Sequence, residues 1–134
     1  MDFLKQWGVG MVAFIAIDFL WIGVVANGFY RREIGPLLRM DGDKMDPRLL
    51  PALLMYALVV AGLIVFALPR ARAGSLLDAA MWSGAFGLIG YSVYDLTNYA
   101  TLDGFPLRMA AVDMAWGTVV CALTGAAVWM VRPA

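Results

Sequence analysis

Four long stretches of this chain carry almost no charge, and polar residues return in bursts between them. From Lys5 to Arg31 the only charge is Asp18. From Arg48 to Arg70 there is none. From Ala79 to Leu102 there is only Asp95, and between Arg108 and Arg132 only Asp113. The runs lack period-two alternation, so they read as helices rather than barrel strands. A bilayer core of about 30 Å is crossed by roughly 20 apolar residues rising about 1.5 Å each. The pattern predicts spans over 7–28, 49–68, 77–99 and 109–131. The first is too long for a removable signal peptide, has an aspartate in its middle, and is followed by three more.

The connections fit this reading. "RREIGPLLRMDGDKMDP" (Arg31–Pro47) is polar and accommodates a short interfacial helix. "PRARAGS" (Pro69–Ser75) and "LDGFPLR" (Leu102–Arg108) are tight turns. Short loops make sequential helices antiparallel neighbours. The expectation is one all-α domain over residues 1–134, an integral membrane bundle of four transmembrane helices. Both termini then lie on one side. Six basic residues fall on the first- and third-loop side and four on the other, too small a bias to fix orientation.

Composition strengthens the membrane reading. Of 134 residues, 63% are hydrophobic and 15% charged, and mean hydropathy is +0.78. Soluble domains carry about 25% charged residues. Formal net charge is zero, which argues against a nucleic-acid partner. The absence of histidine removes imidazole chemistry, and no metal or cofactor is expected. The single cysteine, Cys121, sits in an apolar run and reads as a small packing residue.

Candidate chemistry rests on the three intramembrane acids. An aspartate at mid-helix costs about 2.5–3.5 kcal/mol on insertion scales, so each must face the bundle interior or a wet cavity. Asp18 falls near the bilayer midplane, with Asp95 and Asp113 nearer the first- and third-loop side. Tyr91, Asp95 and Asn98 share one helical stripe, continued upstream by Gly84 and Leu88. Asp113, Gly117, Val120 and Thr124 share another. Gly84, Gly87 and Gly90 make an edge suited to close helix packing. These placements predict an interior cluster of Tyr56, Tyr91, Asp95, Asn98 and Asp113. Arg31, Arg32 or Arg108 would reach in from the interface. Trp7, Tyr30, Trp82, Tyr99 and Trp129 read as interfacial aromatics. "AIDFLWIGVV" (Ala16–Val25) and "AVDMAWGTVV" (Ala111–Val120) share an Asp-x-x-Trp core. A two-plus-two duplication would relate the first helix to the third, so the shared string reads instead as one local need, an aspartate shielded by the tryptophan one turn away.

"YDLTNYATL" followed by "DMAWGT", after an earlier "DFLWIG…FYRREIGPLL", resembles the bacterial membrane proteins of domain-of-unknown-function family 2177. The resemblance covers nearly the whole chain. It implies a four-helix protein of the bacterial inner membrane and no established reaction.

Three function classes stay open. One is a non-catalytic protein that binds or passes a proton, small ligand or lipid through the acidic cluster, Asp18 included. The second is a structural or accessory subunit, as a homo-oligomer or beside a membrane partner. The alternative is an embedded enzyme acting on lipid or isoprenoid through paired carboxylates. The acids themselves have a bland reading beside these, as hydrogen-bonded ties between helices.

Overall fold

In a computed structural model, described for residues 2–132, four helices are long and apolar enough to cross a membrane: Phe3–Val25, Leu49–Arg70, Leu76–Thr101 and Leu107–Met130. The all-α bundle expected from the hydropathy pattern is present. Helix α1 (Phe3–Leu20) starts because the Asp2 carboxylate accepts the Lys5 N–H at 3.0 Å, an N-cap. It runs into a wide turn, Trp21–Val25, in which the Ala26 N–H bonds back to the Trp21 carbonyl at 2.7 Å. This is one turn of π-helix, a feature common at functional sites.

The first span differs from expectation at both ends. It begins at Phe3 rather than Trp7. It stops at Val25 because Ala26 leaves helical geometry, with φ −108° and ψ 7°. The chain then re-enters a short helix, α2 (Asn27–Ile34), which holds Asn27 and Gly28. The rest of the first loop adds a two-residue hairpin, β1 (Met40–Asp41) with β2 (Lys44–Met45), which no hydropathy signal announced.

Helix α3 (Leu49–Gly62) continues through a second π turn, Leu63–Ala67, to a tight turn at Leu68–Arg70. Gly74 (φ +75°) turns the chain toward α4 (Leu76–Thr101). Gly104 (φ +81°) turns it toward α5 (Leu107–Met130). Both glycines adopt backbone that side chains disfavour. Ser75 caps α4 by accepting the Asp78 N–H at 3.1 Å.

The main core gathers Phe14, Val60, Leu63, Leu68, Val120 and Val128. Buried Cys121 belongs to it, as its apolar surroundings suggested. Helices α4 and α5 share the most extensive interface. They meet antiparallel in four-residue steps: Ser83 lies on Gly125, Gly87 on Cys121 and Tyr91 on Gly117. At each step a small residue faces a larger one, which lets the backbones approach. A Cβ on Gly87 would strike the Gly117 carbonyl and the Cys121 side chain. One on Gly90 would meet nothing within 4 Å.

Gly87→Ala should therefore destabilise the bundle by about 1–3 kcal/mol, while Gly90→Ala leaves it unchanged. Unfolding of both variants in mixed micelles checks this. Equal stabilities would mean that the α4–α5 seam is looser than described.

Candidate functional site

The steps that seat Tyr91 on Gly117 carry on to Asp95 and Asp113, four residues further along α4 and four earlier on α5. The two carboxyls face each other there. Asp95 is completely buried and Asp113 nearly so. Neither side-chain oxygen of Asp95 has a well-formed hydrogen bond. Each acid lies six residues from the loop end of its helix, about 9 Å deep at 1.5 Å per residue.

A second arrangement joins α1 to α5 and explains the shared Asp-x-x-Trp strings. The Trp116 indole N–H donates to Asp18 at 2.8 Å. Tyr56 of α3 donates to the other oxygen of Asp18 at 2.6 Å. The Trp21 indole donates at 3.2 Å to the Tyr30 hydroxyl, which donates to Asp113 at 2.5 Å. Trp21 and Trp116 stack, with centroids 4.4 Å apart and planes 8° from parallel. Each tryptophan thus serves the aspartate of the other helix, one directly and one through Tyr30. Antiparallel helices bearing the same three-residue spacing place each Asp opposite the other's Trp. The strings read in sequence as tryptophan shielding its own aspartate; the geometry is a crossed pair.

Tyr30 was expected among the interfacial aromatics. It is instead buried, in a small core with Ala26, Phe105, Met109 and Ala110. Burial, and then the facing Asp113, push its phenol well above the ordinary tyrosine range. It therefore keeps its proton and acts as donor. The break at Ala26 brings it inward by turning α2 back across the end of the bundle. A second clasp holds α2 there: Arg108 donates to Glu33 at 2.9 Å, and the Glu33 side chain is only 3% exposed.

The residues picked out in the sequence are thus divided. Asp95, Asp113 and Tyr91 lie along the α4–α5 seam. Tyr56 joins Asp18 rather than that pair. Asn98 is half-buried, in contact with Tyr94 on its own helix. Arg108 reaches Glu33 and not the acids. Arg32 lies over the Phe29 ring at 5.8 Å and near Glu33 at 3.9 Å, and Arg31 is exposed. Trp21, Trp116, Tyr30 and Glu33 were missed as participants. The repeated Asp-x-x-Trp spacing was the available signal for the two tryptophans. Among the described residues no group of three or more Cys, Asp or Glu side chains could hold a metal ion. Two surface hollows, of about 490 and 350 Å³, lie away from the aspartates.

The model of the predicted-membrane-protein family DUF2177 matches residues 3–130. The chain belongs to that family, as the YDLTN and DMAWG strings indicated, and is an integral membrane protein. No curated protein and no solved structure matches it.

Tyr30→Phe should destabilise the protein by about 1–2 kcal/mol, because it leaves the buried Asp113 and Trp21 without their shared partner. Tyr99→Phe, at an exposed ring, should be neutral. If Tyr30→Phe unfolds in micelles like the wild type, the inward bond contributes nothing. A double-mutant cycle over Asp18→Asn and Trp116→Phe should show a coupling of about 0.5–2 kcal/mol. Additive effects would break the crossed pair.

Proposed function

We propose, starting from membership in a family of membrane proteins, that this chain is non-catalytic and that its Asp95–Asp113 pair binds and releases a proton. One observation carries the reading: a fully buried carboxyl that receives no other side-chain or backbone donor among the described residues meets a second carboxyl inside the bundle. Hydrocarbon around the pair makes two adjacent charges far more costly than one. A single shared proton removes one charge and supplies the missing hydrogen-bond donor. Protons on such a pair belong to the pair rather than to either residue.

The surroundings favour a proton over a larger ligand. The α4–α5 seam closes over Asp95, which leaves no room for a lipid or isoprenoid beside it. Tyr30 and Trp116 hold Asp113 and Asp18 as fixed acceptors, so Asp95, which meets only Asp113, is the position left for a proton. The three acids then divide the labour. Asp18 ties α1, α3 and α5 together, and Asp95 with Asp113 holds the proton. The same reading places the protein in the bacterial inner membrane with both termini on one face. A second copy or a membrane partner would receive the consequence of the proton's movement.

Infrared titration of the protein in nanodiscs tests this. A carboxylic-acid C=O band should be present and be lost when the pH is raised far enough, and it should vanish in Asp95→Asn. Failure to find the band, or its survival unchanged in both Asp95→Asn and Asp113→Asn, would remove the reading. Proton flux in liposomes separates binding from passage: only passage predicts pH-driven uptake that Asp95→Asn abolishes.

A further inference from the structure

At the opposite end of the bundle from the aspartates lies a hollow of about 490 Å³. It is bounded by the turn that ends the second span and the last turn of α5, through Leu68, Pro69, Gly74, Trp129 and Arg132. The Arg132 guanidinium lies over the Trp129 ring at 5.2 Å. One of its terminal nitrogens, Nη1, is buried and has no hydrogen-bond acceptor among the described residues. A guanidinium keeps its charge at any physiological pH, and stacking on an aromatic face leaves its edge N–H groups free to donate. A buried donor without an acceptor is costly, and among the described residues no acid pairs with this cation.

The neighbouring charges narrow the anion's identity. Arg72 is already matched, with 2.6 and 2.9 Å bonds to Asp78. That pairing uses the nearby acid and leaves no carboxylate on this turn for Arg132. Arg70 sits over Trp82 at 5.9 Å and donates to the Phe66 carbonyl, adding positive charge to the same end. Leu68 and Trp129 close the second and fourth spans, so the hollow lies at the level of lipid headgroups, where tryptophan and arginine concentrate. The abundant anion at that level is phosphate, whose oxygens match the guanidinium fork.

We propose that the Arg132–Trp129 hollow binds a phosphate group, carried by an anionic phospholipid or free in solution. Arg132 donates from its stacked guanidinium, and the chain around Gly74 forms the opposite wall. This site is separate from the proton pair, and neither depends on the other.

The full chain, purified in detergent, can be titrated in two arms. Inorganic phosphate is followed by calorimetry, and phosphatidylglycerol by native mass spectrometry. Binding to phosphatidylglycerol alone assigns a headgroup held together with its acyl chains. Binding in both arms assigns the phosphate group itself. In whichever arm the wild type binds, Arg132→Gln should weaken affinity at least about tenfold. Arg132→Lys should fall between, since it keeps the charge and loses the fork. Arg72→Gln should bind like the wild type, because Arg72 is engaged by Asp78. Circular dichroism confirms that each variant is folded. Three results overturn the proposal: no binding by the wild type in either arm, Arg132→Gln equal to wild type, or Arg72→Gln as weak as Arg132→Gln. The last would reduce the effect to bulk positive charge.

Discussion

A carboxyl group surrounded by hydrocarbon must find its hydrogen-bond partners within the protein, because the solvent offers none. Three aspartates impose that demand here, and the tertiary structure answers it in two ways. Asp18 receives Tyr56 and Trp116 on its two oxygens. Asp113 receives Tyr30, which Trp21 steadies in turn. Asp95 receives no protein donor and instead faces another acid. The first two behave as ties between helices. The third has no such tie and meets only the facing carboxyl of Asp113, which is why the proposed proton site is placed there.

The same register produces both the close packing and the meeting of the two acids. Ser83 on Gly125, Gly87 on Cys121 and Tyr91 on Gly117 set α4 and α5 in fixed antiparallel steps. Asp95 opposite Asp113 is the next step of that sequence. Sliding one helix by a turn would part the acids, setting Asp95 against Gly117 or Met109 and Asp113 against Tyr99 or Tyr91. The glycines therefore act on the acids through geometry, since they let the backbones come close enough for the carboxyls to meet.

The break at Ala26 has a comparable reach. A straight continuation of α1 would carry Tyr30 out to the membrane surface, where an aromatic residue at a span end is ordinarily found. The wide turn at Trp21–Val25 instead folds α2 over the bundle's end. Tyr30–Asp113 and Glu33–Arg108 then pin it to the α5 end of the molecule. The same turn aims Trp21 at Tyr30.

Hydropathy alone determined the four spans and the inward orientation of the acids. Each follows from a local cost: twenty apolar residues cannot stay in water, and a carboxyl cannot face acyl chains. The stripe of Tyr91 and Asp95 was legible for the same reason, because helical spacing is local. The family could be read from short strings such as YDLTN and DMAWG. Pairing was not local, and the tertiary structure decided it. Tyr56 went to Asp18, Tyr30 turned inward, Asn98 stayed with Tyr94, and the two Asp-x-x-Trp strings crossed. Those outcomes depend on helix register and on one π turn, both set by how side chains from distant segments fill the same space. No pattern within a single helix contains that information.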